Sequence, residues 1–530
     1  MLTLNNTSDV KITGTGGITG NLTKTGNTLL RLSHSGGFNG TLGINGQWVI
    51  LGSAATDPTG QTSNLTKLSI TAGGMILGSA YNGGSATIGE LSGGGSVRAD
   101  WADGGTNNHR RLIVDQSTDS TFSGTFNAGN NGRGIHLTKS GSGTLTVSNN
   151  AALTSGNDGL RDINITGGTL RITGNTGTAS PLNNIAGTSL SIASGAIFEA
   201  ANATSFIPTG ITKAISGSGT FLRNGTGNMV ISGTENSGFT GTWKATSGTF
   251  GFNSEASMGG ANITLDGGGL FMNANEAGIS SAKTITLGAA GGFFDGSTSW
   301  TQTWSATVTG VGGMTKRSGM LLTLDGDSDY QGTTTVEAGT LRINGTHAGP
   351  GDVIVNGGSR LEGTGSVAGA INVSGVLAPG ASIESFGSGN VSFTAGATFA
   401  YELDSNLLDG DLLDSTGTLN IASGTILTIT ELANGILAEG SKLTLISYAG
   451  GWVNTELFTY LGSELADDST FTLGSNTWLF NYDDISGGSN FSADQAGATN
   501  FVTMTVIPEP RAALLGGIGM LLLLRRRRNA

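Results

Sequence analysis

In the segment INITGGTLRI, Ile163 and Ile165 alternate with polar residues, a glycine pair follows, and alternation resumes at Leu170 and Ile172. Along one straight strand, residues an even number apart share a face, so the offset of five between Ile165 and Leu170 would set them on opposite sides. The chain must turn between them. Gly167 and Gly168 make that corner cheap, because glycine takes positive φ without steric cost. Both flanking strands can then aim their apolar side chains at one interior. The unit recurs in LSITAGGMIL (Leu68, Ile70, Met75, Leu77) and ITLDGGGLFM (Ile263, Leu265, Leu270, Met272). SLSIASGAIF follows it through Leu190, Ile192 and Ile197, and TLNIASGTIL through Leu419, Ile421 and Ile426. Short strands turned at glycine corners around a shared interior are the local logic of a coil in a β-solenoid.

A longer unit is superimposed. LLRLSHSGGFNGTL, RLIVDQSTDSTFSGTF, NMVISGTENSGFTGTW and MLLTLDGDSDYQGTTT each run from an apolar strand through a polar turn to an aromatic-x-Gly-Thr step, at Phe38, Phe122, Phe239 and Tyr330. Cationic turns accompany the pattern, at Lys24 in LTKTG, Lys139 in LTKSG, Arg223 in FLRNG and Lys316 in MTKRSG. Composition agrees with an all-β class: 92 of 530 residues are glycine, more than twice the ~7 % of an ordinary protein, which excludes a helical fold. Only 7 prolines and no glycine period of three exclude collagen. The net charge of −12 is too dilute to keep the chain expanded, and an acidic balance argues against nucleic acid as a partner. With no cysteine, disulfides, thiolate metal sites and a cysteine nucleophile are all excluded.

The four long segments resemble the autotransporter-associated β-strand repeat, also called the passenger-associated transport repeat. The resemblance implies a right-handed parallel β-helix standing on a bacterial surface. It extends loosely over about residues 10–380, closing at Leu377-Ala378-Pro379-Gly380, a step that resembles the "LAPG" following such repeats. The expected organisation is a solenoid over residues 1–380, a terminal β module over 381–500 that caps its open end, and a C-terminal segment over 501–530.

That last segment, VIPEPRAALLGGIGMLLLLRRRRNA, carries Pro508-Glu509-Pro510, an apolar run from Ala512 through Leu515, Ile518 and Leu521 to Leu524, and Arg525, Arg526, Arg527 and Arg528. As a short hydrophobic helix at 1.5 Å per residue the run reaches about 20 Å, against a hydrocarbon core of about 30 Å. The arginines would stay on the cytoplasmic side. The order resembles the PEP-CTERM sorting signal, which implies an inner-membrane intermediate held by this segment, processing by an exosortase-like membrane enzyme, and delivery to the cell surface or extracellular matrix. A plain tail anchor explains the run and the arginines but not the PEP. No series of alternating membrane strands precedes the arginines, so self-export through a barrel is not expected. The first residues lack the basic and apolar regions of a secretion signal; since sorting presupposes export, an export signal is expected upstream of Met1.

Catalytic signatures are thin. His34, His109, His136 and His347 have no second histidine at ligand spacing and read as turn or surface residues. Asp325, Asp327 and Asp329 alternate as in a calcium loop, but Tyr330 stands where glycine is needed and Val336 where glutamate is needed. Asp409, Asp411 and Asp414 read as solvated turn charges. No metal site, cofactor or catalytic residue is expected. Trp300 and Trp304, an even number apart in STSWTQTW, are the carbohydrate-stacking candidates if exposed. The function these features imply is a non-catalytic, exported structural or adhesin-like protein of the surface or biofilm matrix, with extracellular polysaccharide as a possible partner. The alternative is a polysaccharide lyase or hydrolase on the same scaffold.

Overall fold

The computed structural model describes residues 1–14, 18–34, 38–51, 63–77, 85–99, 110–127, 134–148, 160–174, 189–202, 206–211, 214–233 and 235–508. Among them the chain is all-β, a parallel β-solenoid whose helical content is two single 3₁₀ turns at Glu255–Met258 and Asp494–Gly497. It divides into two units, Met1–Ala277 and Gly278–Ala530.

In the first unit, successive coils pair in parallel. One ladder runs through Val10–Gly14, Leu30–His34, Val49–Leu51, Gly74–Leu77, Ser96–Ala99 and Thr125–Asn127. It sets Leu30, Val49, Met75, Val97 and Phe126 in register, all buried. Another stacks Leu145, Leu170, Phe198, Phe221, Trp243 and Ile263. Rings in that stack lie 4.8 Å (Phe198 to Phe221) and 5.0 Å (Phe221 to Trp243) apart. Each such side chain contributes about 1.5–3 kcal/mol by leaving water. The column therefore adds to the backbone ladder in holding neighbouring coils in register.

The glycine corners work as the spacing requires. Ile165 and Leu170 both point inward, with exposures of 0 % and 1 %, and Gly168 at the turn has φ +59°. The two ASG copies depart from the pattern. Ile197 is half-buried and Ile426 exposed, while Phe198 and Leu427 take the interior positions. Their corners are one residue longer, closed by Ala196 N–H to Ala193 O (3.0 Å) and Thr425 N–H to Ala422 O (3.1 Å). The aromatic of every long repeat, Phe38, Phe122, Phe239 and Tyr330, is buried. The glycine two residues later has the preceding coil against it, and a Cβ at Gly124 or Gly241 would overlap the carbonyl of Gly95 or Gly219.

In the second unit, one parallel ladder joins Gly278–Ile279, Thr301–Trp304, Leu321–Leu324, Gly339–Ile343, Ser359–Gly363, Val376–Pro379, Thr398–Asp404, Ile426–Glu431 and Thr459–Tyr460. Two further ladders form the other faces, one aligning Met314, Thr334, Val353, Ile371, Val391, Leu419 and Trp452. Parallel coils continue past residue 380, where Gly363 and Gly380 form an isolated antiparallel bridge. The pairing changes at Lys442–Tyr448, which is parallel to Leu412–Ser415 on one side and antiparallel to Asn500–Ile507 on the other. Asn476–Asp484 and Ser469–Leu473 complete an antiparallel sheet over Trp478, Phe480, Tyr482, Val502 and Met504. Asn500–Ile507 is a strand of this sheet. Of the expected sorting segment, Pro508 is exposed, and Glu509, Pro510, the run Ala512–Leu524 and Arg525 to Arg528 lie outside the described residues. No helix among the described residues is long and apolar enough to cross a membrane.

Candidate functional site

The cationic turns are not surface features. Alternation from Leu22, Leu137, Phe221 and Met314 carries Lys24, Lys139, Arg223 and Lys316 to the interior face, and all four are 0 % exposed. Their register partners on adjoining coils are apolar: Leu4 and Ile44, Val114 and Ile165, Ala200 and Ala245, Phe294 and Val336. Each head group turns to the corner and donates to backbone carbonyls. Lys139 Nζ reaches Ser140 O (2.6 Å), Gly141 O (3.1 Å) and Gly167 O (3.3 Å), and Lys24 Nζ reaches Gly26 O. Arg223 holds Ala200 O, Asn202 O and Gly227 O. Burial lowers Lys139 and Lys316 to about 8 and Arg223 to about 10. These residues brace corners and offer nothing to an outside ligand.

The tryptophan pair separates. Trp304 is 0 % exposed with its ring 4.9 Å from Phe294, so it presents no face to a sugar. Trp300 precedes the strand, on a turn closed by its N–H to Ser297 O (3.1 Å), and is half-buried. The even spacing fails to pair them because that turn lies between strand and corner. Asp325 and Asp327 are exposed and tie neighbouring coils by accepting from Asn344 Nδ2 (2.9 Å) and Thr346 N (2.8 Å). Among the described residues no cluster of three or more acidic or histidine side chains could hold a metal. His136 pairs with Asp162 at 2.8 Å. His347 is buried, with its ring 4.1 Å from that of Tyr330 and its pKa lowered by burial, so it is neither a turn nor a surface residue. His109 and the His34 side chain fall outside what is described.

A concave polar site lies in the second unit, where the Leu377-Ala378-Pro379-Gly380 step ends a strand. Gly380, with φ +76°, returns the chain antiparallel against Gly363 and donates its N–H to that carbonyl at 2.7 Å. A second wall is the hairpin of Thr398–Asp404 with Asp409–Gly410. Asp411 ties the two walls: Oδ1 accepts from Glu384 N (3.1 Å) and Oδ2 from Glu402 N (2.8 Å). It is 1 % exposed, and burial pushes its pKa up to about 8, helped by the nearby Glu402 and Glu384 carboxylates. This corrects its reading as a solvated turn charge; two backbone donors hold it where the turn sequence gives no hint of burial.

Between the walls lies a cavity of about 280 Å³. Its rim carries Arg342 and Arg360, which share one buried acceptor. Arg342 Nε and Nη2 donate to Glu362 Oε1 at 2.8 and 2.5 Å, and Arg360 Nε donates to Glu362 Oε2. Glu362 is 5 % exposed, whereas the arginine side chains keep 27 % and 39 %. The remaining guanidinium N–H groups have no protein partner among the described residues. Ala378, Pro379 and Ala400 supply an apolar lining, and Glu402, Thr428 and Thr430 supply acceptors and hydroxyls. The arrangement can bind a small polar group; its most perturbed carboxyl, Asp411, spends both oxygens on backbone N–H groups rather than facing a nucleophile or a base.

Comparison with known proteins agrees with the repeats. The family model described as the passenger-associated-transport-repeat matches residues 137–172 in the first unit and 321–343 in the second. The chain is also similar to the adhesin BmaC autotransporter of Brucella suis biovar 1 (strain 1330), 28 % identical over 238 residues, which is 44 % of this chain and 6 % of that protein. It therefore spans a small fraction of that relative's length.

Proposed function

We propose that this chain is a non-catalytic, exported structural protein of adhesin-like character, displayed at a bacterial surface or in an extracellular matrix. The observation that carries the reading is the presence of passenger-associated repeats within parallel coils of both units, supported by similarity to an autotransporter adhesin. Each coil presents polar turns outward around a dry interior, so contact with a partner is multivalent and built from many weak sites. Delivery depends on the tail. Pro508-Glu509-Pro510 is the motif read by an exosortase-like enzyme, Ala512–Leu524 holds the inner-membrane intermediate, and Arg525 to Arg528 stop transfer.

Mass spectrometry of the mature protein from its native cell tests this reading together with fractionation. Loss of everything after the Pro508 region and recovery outside the cytoplasm are expected. A full-length chain retained in the membrane would replace sorting by a permanent tail anchor, and a cytosolic full-length chain would end the surface reading. Extracellular polysaccharide is the partner class that such a location favours.

A further inference from the structure

We propose that the cavity between the Gly380 turn and the 398–410 hairpin binds the ring of an acidic sugar, a hexuronate unit, whose carboxylate sits on Arg342 and Arg360. Three features converge on this chemistry. First, both guanidiniums are already fixed by Glu362, so their free N–H forks are aimed before a ligand arrives and little side-chain entropy remains to be lost. On this wall two cations face one buried carboxylate, and planar forks match a planar carboxylate; Glu402 on the opposite wall offsets the remaining charge, so the positive excess is confined to the arginine side. Second, the opposite side of the cavity is not cationic. Glu402 carries no hydrogen bond on its carboxylate among the described residues, and Thr428 and Thr430 present hydroxyls, as ring hydroxyls require. Glu402 would repel a phosphate dianion, which separates a sugar acid from a bare anion. Third, Ala378, Pro379 and Ala400 give a small apolar surface for the C–H face of a ring, and 280 Å³ lies at the small end of ligand sites, suited to one unit of a chain.

The inference deepens the matrix reading by naming a ligand class, but rests on the cavity alone. Its test uses the isolated full chain, so failure here leaves the fractionation result untouched. Isothermal titration would compare trigalacturonate with neutral galactotriose and with inorganic phosphate, for the wild type and for Arg360→Gln, Arg360→Lys and Glu402→Ala. The acidic trisaccharide is expected to bind at least tenfold more tightly than the neutral one and to weaken with added salt. Arg360→Gln should lose at least tenfold, Arg360→Lys less, because it keeps the charge without the fork, and Glu402→Ala should also weaken binding. Circular dichroism of each variant shows whether it has folded. If Arg360→Gln does not fold, the Glu402 and lysine variants carry the test. Absence of binding to trigalacturonate, equal binding of the two trisaccharides, displacement by phosphate at equal concentration, or undiminished binding in folded variants would each overturn the proposal.

Discussion

Lys316 Nζ donates to the carbonyl of Ala338 on the next coil and to that of Ser318 on its own, both at 2.7 Å. One amine thus closes a corner and joins two coils. It does so from a position whose register neighbours are Phe294 and Val336. Corner carbonyls turned toward a dry interior need a donor, since an unsatisfied one costs about 1–3 kcal/mol. A long cationic side chain supplies it while its methylenes fill the core.

Lys316→Met retains the stem and deletes the donor. We expect a loss of about 1–3 kcal/mol from the two stranded carbonyls, read as a lower urea midpoint of the coils around residue 316 and faster amide exchange near Ala338. Unchanged exchange there would show that the carbonyls find other donors.

The same residue gives a signed pH dependence. Folding lowers Lys316 and Lys139 from their ordinary value near 10.5 to about 8, burial being the first cause. Between pH 8 and 10.5 the unfolded chain holds protons that the folded chain has released, so this contribution to stability rises with pH across that window and is lost as pH falls through 8. The deficit of Lys316→Met relative to wild type should therefore widen from pH 7.5 to pH 10. Denaturant unfolding at the two pH values measures it, and a constant deficit would contradict the argument.

How much of this was legible in the sequence depends on which physical signal each feature leaves. The odd offset from Ile165 to Leu170 is visible because strand geometry allows one reading of it, and the parallel coil follows. The inward path of Lys139 was also written there, two residues after Leu137. Hydrophobicity argued against alternation, and alternation won because the head group found carbonyls. The cavity left no signal, since Arg342, Glu362, Gly380, Glu402 and Thr428 come together only through coil stacking and a hairpin. The one-residue-longer corners before Phe198 and Leu427 were likewise hidden, because Ile197 and Phe198 are both apolar and only the turn bond decides between them.

Asp411 should behave in the opposite sense to the lysines. Its pKa is raised from 3.8 to about 8, so the folded chain binds a proton that the unfolded chain lacks over that interval. The stability it contributes is present below about pH 4 and is lost as pH rises through 8. Asp411→Asn keeps one acceptor and cannot ionise. It is expected to cost about 1 kcal/mol at pH 5 through the weakened bond to Glu384 or Glu402, with a smaller or reversed effect at pH 9. Thermal unfolding of both proteins at the two pH values checks the crossover.

Two glycines separate conformational strain from close approach. At Gly396, φ is +80° and a Cβ would meet nothing within 4 Å, so Gly396→Ala should cost only the left-handed penalty of about 1–2 kcal/mol. At Gly241 a Cβ would overlap the Gly219 carbonyl, which accepts the Thr242 N–H at 3.0 Å. Gly241→Ala must push two coils apart and break that ladder bond, so it should exceed the Gly396 variant in cost and raise amide exchange at Thr242. Equal costs would mean that the coils separate freely.

The two tryptophans of STSWTQTW should part company on truncation. Trp304 stands in register with Leu324 and Ile279 and touches Phe294, so Trp304→Ala opens a core cavity and is expected to cost about 3–5 kcal/mol. Its indole Nε1 has no hydrogen-bond partner among the described residues, so the ring is held by packing alone. Trp300 is half-buried at a turn, and Trp300→Ala should cost less than half as much. Emission spectra distinguish them further: loss of Trp304 removes a blue-shifted, quencher-resistant component, whereas loss of Trp300 removes one that iodide reaches. A Trp304 component quenched by iodide in the folded wild type would place that ring at the surface and reopen it to sugars.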